Sequence, residues 1–466
     1  MKIERFEVPG LAQYSYIVSA NGRAVVIDPV RDVERYMEYV SSKGLILTHI
    51  LESHIHADFA AGSTALAEAT GAELGLSSYD QGELYRYAMP HRSLRDGDCI
   101  EVGSVRLQVL HTPGHTPEHL SFLLFDTERS KSVPMALFSG DFLFVGSLGR
   151  PDLLGEAAKQ GLAHELFRSL HERIAALPDG VAIYPGHGAG SLCGSGMSER
   201  AESTLGYERA TNPLFALDEA SFVREILASV PPMPTYYPRM KQLNASGASS
   251  VSNVPGGRAL SIGEVAGLAE NGDVILLDLR RAEAFGGAHI RGAINIGAGQ
   301  NLSLWSGWLL DSKLRIVLVG NSGDQEASRR ALVRVGLDRI EGYLDGGMTA
   351  WIDSGRDFVG TLQISVRQVS QCAADALVLD VLVLDVRSET EWSTGHIAGA
   401  MHIMLGDLGQ QWNTLPSGRS IVTVCGSGYR SSIAASLLQQ RGIPDVSSMA
   451  GGMGAWQRQQ LPVVCA

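Results

Sequence analysis

Up to about residue 230, short runs of β-branched and aliphatic residues alternate with stretches in which apolar positions recur every three or four residues. "AVVIDP", "VRLQVLHT" and "MALFSGD" predict strands, and "GSTALAEAT" and "GLAHELFRSLHERIAAL" predict helices. The pattern is that of an α/β architecture. From about 230 to 258 the chain turns to "PPMPTYYPRMKQLNASGASSVSNVPGG", rich in Pro, Ser, Gly and Asn, which predicts a linker.

Beyond it the pattern repeats. "VILLDLRRAEAFGGAHIRGAINI" parallels "VLVLDVRSETEWSTGHIAGAMHI", laying Asp385 on Asp278, and "GGMTAW" parallels "GGMGAW", laying Trp456 on Trp351. Two copies roughly 105 residues apart are each long enough to hold a core, so they are tandem domains and not a solenoid. The expected domains are 1–240, 258–356 and 362–466, in keeping with 466 residues at about 150 per core.

Composition narrows the function classes. An apolar fraction of 45% and a charged fraction of 19% are those of a globular protein, and a net charge of −12 argues against binding to nucleic acid or an anionic membrane. The start "MKIERFEVPG" lacks a signal peptide's apolar core, and no apolar run is long enough to span a bilayer. Five scattered cysteines make a poor disulfide framework and suit a reducing compartment. The expectation is a soluble cytoplasmic protein, with homo-oligomerisation left open.

In the second copy the strand "IVTV" runs into Cys425, then "GSGYR", then the helical "SSIAASLLQQRG". A glycine-containing turn at a helix N-terminus points successive backbone N–H groups into one concavity, which favours an anion at its centre. "DVRSETEWSTGHIAGA", the "CGSGYR" loop and "GGMGAW" together resemble rhodanese sulfurtransferases across each repeat. The resemblance implies that Cys425 accepts a sulfane sulfur as a persulfide. Arg430 and the amides of Gly426, Ser427, Gly428 and Tyr429 would hold the charge and the substrate, while Asp385 and Arg387 look structural. The first copy has Gly320 at the cysteine's position and Gln325 at the arginine's, so it resembles an inactive rhodanese.

The N-terminal part carries "ESHIHADFAAG", in which His54, His56 and Asp58 alternate, then "HTPGHTPEHL" with His115, "ALFSGDFLF" with Asp141 and "YPGHGAGS" with His187. In this order the four stretches resemble the metallo-β-lactamase fold, an αββα sandwich, over about residues 1–240. Two-metal hydrolases of that superfamily read H-x-H-x-D-H, and this chain has Phe59 in the last place, where a phenyl ring has no lone pair to offer. Two imidazoles and one carboxylate, with open positions opposite, suit ferrous iron that binds both substrate and O₂. Persulfide dioxygenases of the superfamily are built so. The resemblance implies one Fe(II) per chain held by His54, His115 and Asp141, with His56, Asp58 and His187 orienting the ligands through hydrogen bonds.

"GSLGRPDLLG" is similar to the family's Gly-Arg-x-Asp segment and implies that Arg150 pairs with a carboxylate of the thiol carrier. His49, His91, His111, His119, His164 and His171 read as non-ligands, and Cys193, near His187, reads as structural with a substrate contact as the alternative. The whole resembles a persulfide dioxygenase fused to rhodanese domains. It is expected to convert glutathione persulfide or a similar persulfide, with O₂, to sulfite and thiol, while Cys425 exchanges sulfur with thiosulfate or sulfite. A zinc thioester hydrolase like glyoxalase II, or a sulfur carrier in which only the Cys425 loop acts, are the alternatives.

Overall fold

The computed structural model describes every residue except 255–256, 273, 322, 375–380 and 466, and no side chain at 253 or at 372–374, so Cys372 lies outside the described side chains. The chain forms two compact units: Met1–Val254 with Val333–Gly336, and the remainder. Among the described residues no helix is long and apolar enough to cross a membrane.

The first unit holds two six-stranded sheets. One runs in chain order through Lys2–Val8, Gln13–Ala20, Arg23–Ile27, Ile46–Leu51, Glu73–Ser77 and Arg92–Leu94. The other is ordered Ser203–Thr204, Ala182–Pro185, Ala136–Gly140, Leu120–Asp126, Val105–His111 and Cys99–Val102. Alternating residues of both inner faces, among them Tyr16, Val18, Val25, Leu107, Phe122 and Phe138, interdigitate in one core. The opposite face of the second sheet buries Leu123, Leu137 and Ile183 under the helices Glu156–Arg168 and Glu219–Ala228. This is the αββα sandwich that the sequence resembles.

The second unit repeats one sheet twice. In the first copy the strand order is Ala259–Leu260, Ile340–Leu344, Arg315–Val319, Val274–Asp278, Ile294–Asn295, and in the second Leu362–Ile364, Val446–Met449, Ser420–Val424, Val381–Asp385, Met401–His402. Every pairing is parallel, which fits runs such as "VLVLD" that are apolar on both faces. In both copies an aspartate ending a central strand holds the arginine two residues on: Asp278 with Arg280, and Asp385 with Arg387. The pairing recurs in the copy without the cysteine, which makes it architectural.

The linker reading needs correction. Within it Tyr237–Ser246 is a helix, with Pro238 in its first turn, where the missing N–H is no loss. Its buried face meets the loop after Ile46–Leu51. Asn244 Nδ2 donates to the carbonyls of His56 (2.8 Å) and Phe59 (2.7 Å), and its Oδ1 accepts from Ala61 N–H (2.8 Å). Lys241 Nζ donates to Ile55 O (2.7 Å), and Tyr236 OH to Asp58 O (3.1 Å). The proline and polar residues that signalled a linker are a helix start and a set of loop anchors. Asn244→Ala leaves three buried backbone groups unpaired, so we expect a loss of about 2–3 kcal/mol in the urea unfolding of the first unit.

Candidate functional site

His54, His115, Asp141 and His187 all lie in the loops that follow strands, at Ile46–Leu51, Val105–His111, Ala136–Gly140 and Ala182–Pro185. The last two strands are parallel neighbours, so Asp141 and His187 emerge side by side. All four residues are at most 1% exposed.

Hydrogen bonds fix how each ring is presented. His115 Nδ1 donates to Arg150 O (2.9 Å), which leaves Nε2 a bare lone pair. Ser53 gives its hydroxyl proton to Asp28 Oδ2 (2.9 Å), so Ser53 Oγ accepts from His54 Nδ1 (2.9 Å), and His54 Nε2 is bare as well. Asp28 stands at φ +52°, a region costly for any residue but glycine, and its carboxylate also accepts from Ser53 N–H (2.6 Å) and His56 Nε2 (3.3 Å). Burial pushes the imidazolium forms of His54 and His115 far down, so both rings are neutral.

His54 Nε2, His115 Nε2 and Asp141 Oδ2 therefore face one another, within 4.8 Å, with no hydrogen-bond partner. Asp141 Oδ2 is 3.8 Å from the first and 3.5 Å from the second. Three buried acceptors converging without a donor fit a divalent cation, and no proton arrangement satisfies them as well. The other oxygen of Asp141 accepts from His187 Nδ1 (2.7 Å), whose Nε2 donates to Asp58 Oδ2 (2.8 Å). Burial alone would lower the His187 pKa, but the two carboxylates hold it well above the usual histidine range, so a positive charge sits between Asp58 and Asp141. Phe59 is fully buried with its ring 4.4 Å from that of His56.

Gly186 is required here. A Cβ on it would lie 2.6 Å from Asp141 Oδ1, where His187 donates.

The structure thus brings His54, His115 and Asp141 together, links Asp58 and His187 to them, and turns His56 toward Asp28. Arg150 departs from expectation. It is 2% exposed; its guanidinium is held by both oxygens of Asp152 and by the carbonyls of Leu192 and Pro231. No free fork remains for a carrier's carboxylate, and its own carbonyl orients His115.

His119, read as a non-ligand, belongs to the site. Its Nε2 accepts from Asp141 N–H (3.0 Å) and its Nδ1 donates to Thr112 (2.9 Å), a neutral tautomer consistent with burial lowering its pKa to about 3. Cys193, read as structural, places Sγ within 4.8 Å of donor atoms of Asp58 and His187, and burial keeps its thiol protonated. Both nitrogens of His187 are already bonded, so this second cluster offers a cation no ready imidazole lone pair. Asp28 and His119 had visible signals, a strand-ending aspartate and a third histidine in "HTPGHTPEHL"; Asn244 and Lys241 had none.

In the second unit Cys425 is fully buried at the start of a loop that enters the helix Tyr429–Gln440. Gly428, at φ +108°, donates its N–H to Cys425 Sγ (3.1 Å). The carbonyls of Cys425 and Gly426 are drawn outward by Met453 N–H (2.7 Å) and Gly454 N–H (2.9 Å), which is the work of "GGMGAW". Ser427 is exposed at the rim, and Tyr429 OH reaches Gly297 O of the first copy (3.0 Å). Arg430 is not free: Glu391 holds it by two bonds of 2.6 Å.

Comparison with known proteins agrees with this geometry. Residues 8–187 match the metallo-beta-lactamase superfamily, and residues 261–354 and 369–459 each match the rhodanese-like domain. The mitochondrial persulfide dioxygenase ETHE1 of Bos taurus is 32% identical over 46% of this chain and 76% of its own. A hydroxyacylglutathione hydrolase of Polaromonas sp. is 35% identical over 37% of this chain and 61% of its own. A solved metallo-beta-lactamase from Staphylococcus aureus superposes with a TM-score of 0.66 at 38% identity, covering 74% of this chain and 98% of that one. The chain belongs to the metallo-β-lactamase superfamily, as a relative of the persulfide dioxygenases fused to two rhodanese-like domains.

Proposed function

We propose that the chain is a persulfide dioxygenase and sulfurtransferase of the cytoplasm, oxidising glutathione persulfide or a similar small persulfide with O₂ and water to sulfite and thiol. Cys425 exchanges sulfane sulfur with thiosulfate, persulfide or sulfite. The observation that carries the reading is the convergence of His54 Nε2, His115 Nε2 and Asp141 Oδ2 without a hydrogen-bond partner. Two imidazoles and a carboxylate suit one Fe(II), which supplies the open positions and the electron transfer that join O₂ to a sulfur anion.

The chain's own groups set the conditions. Arg150 O and Ser53 Oγ keep His115 and His54 in the tautomers that present Nε2. His187 holds Asp141 Oδ1, leaving Oδ2 for the ion, and its charge stands beside Asp58 where related hydrolases place a second metal. Phe59 fills the neighbouring space with hydrocarbon and limits water around the site. The likeness to a hydroxyacylglutathione hydrolase supports a second reading, zinc-dependent thioester hydrolysis, which consumes no O₂.

Dissolved oxygen distinguishes the two. The Fe(II)-loaded protein is expected to take up O₂ on addition of glutathione persulfide and release sulfite, equally with Cys425→Ser; oxygen-independent thioester cleavage would replace this reading with the hydrolase. His115→Ala is expected to lower sulfite formation at least about 10³-fold while thiosulfate-dependent transfer through Cys425 persists. Elemental analysis checks the ligand set. We expect one iron per chain in the wild type and in His56→Gln, and loss of most of it in His54→Ala, His115→Ala and Asp141→Ala.

A further inference from the structure

The Cys425 loop carries a charge pair whose partner lies outside the loop. Glu391 Oε1 and Oε2 each accept from one Arg430 nitrogen at 2.6 Å, a fork-to-fork pairing. The glutamate is itself anchored, since Oε2 also accepts from Ser388 N–H (3.1 Å) and Ser388 Oγ (3.0 Å), which cap the helix Glu389–Thr394. The pair stands beside the residue after the cysteine: a Cβ built on Gly426 would lie 3.2 Å from Arg430 Nη2 and 3.6 Å from Glu391 Oε1. Partial burial raises the Glu391 pKa, but Arg430 and Ser388 more than offset this and hold it at about 2, so the pair is fully charged at neutral pH.

The first copy supplies a control within the same chain. It has Gly320 for Cys425, Gln325 for Arg430 and, in the parallel stretch, Ala284 for Glu391. The capping glutamate disappears together with the cysteine and the arginine, although Asp278, Arg280 and the "GGM" helix persist. Arg281 stands there in place of Ser388, so the first copy's helix Ala282–Gly287 forms without a capping box and the fold does not require Glu391.

Resting on the sulfurtransferase reading above, we propose that Glu391 is a specificity-determining residue of the Cys425 loop. It holds Arg430 in a neutral pair that a dianionic donor such as thiosulfate must break, whereas the persulfide of an uncharged thiol exchanges sulfur without breaking it. In either case the Cys425 thiolate attacks the donor's sulfane sulfur. The new Cys425–S bond forms as the donor's S–S bond breaks, and the electron pair leaves on sulfite or on the released thiolate. A persulfide donor carries at most one negative charge at its sulfur, so dianionic thiosulfate gains more from a free guanidinium and the glutamate tilts the loop toward persulfides.

The test measures full-length protein transferring sulfur to cyanide, read as thiocyanate, from thiosulfate or from 2-hydroxyethyl persulfide, with Cys425→Ser as background. Glu391→Gln is expected to raise kcat/KM for thiosulfate about tenfold, chiefly through a lower KM, and to leave the persulfide reaction within about twofold. The gain should shrink with added salt and vanish in an Arg430→Gln background. Glu391→Ala is the second variant should glutamine destabilise the helix, because the first copy folds with Ala284 at that position. An unchanged thiosulfate-to-persulfide ratio in a folded variant of an active enzyme overturns the role of Glu391 alone. Absence of thiocyanate from the wild type with both donors overturns the sulfurtransferase reading and this inference with it.

Discussion

Two neutral imidazoles and one carboxylate oxygen are held a few ångströms apart, buried and without a donor among them. That arrangement is unfavourable unless a cation joins them, and the surrounding structure exists to maintain it. Three strand ends deliver these side chains, and a fourth places His187 beside Asp141. Arg150 O, Ser53 and His119 fix tautomers and the aspartate's backbone, and Asp28 adopts a left-handed conformation to serve Ser53 and His56 at once. The helix Tyr237–Ser246 then ties down the loop bearing His54, His56 and Asp58 through Tyr236, Lys241 and Asn244. None of these supporting residues needs to touch a substrate. Their task is to keep lone pairs aimed inward against the pull of better-solvated alternatives.

Phe59 fits this picture. With a phenyl ring in place of an imidazole, the space beside Asp58 contains a protonated His187 bridging two carboxylates and a hydrocarbon wall.

The second unit relies on the same device in another form, a loop made rigid from outside. Met453 and Gly454 pull two carbonyls away from the concavity, Gly428 turns its N–H to Cys425 Sγ, and Glu391 positions Arg430. The cysteine-less copy keeps the sheet, the aspartate–arginine brace and the glycine-led helix, but has neither the cysteine nor the arginine–glutamate pair. Fold and chemistry are therefore separable within one chain.

The sequence by itself determined what depends on residue type and local period. The strand and helix alternation, the tandem repeat, the missing cysteine of the first copy and the set of histidines and aspartates after strands were all legible, because each is written within a few tens of residues. Tertiary structure decided which way those groups face. His56 turns to Asp28, Arg150 is closed off by Asp152 and carbonyls from Leu192 and Pro231, His119 joins the site, and a Pro-rich stretch becomes the helix that clamps the loop bearing His54. Asn244 bonds groups more than 180 residues away, and Arg430 meets a glutamate 39 residues upstream. A buried polar group takes whichever partner the packed backbones bring within about 3 Å, and that proximity is a property of the folded chain that no local pattern records.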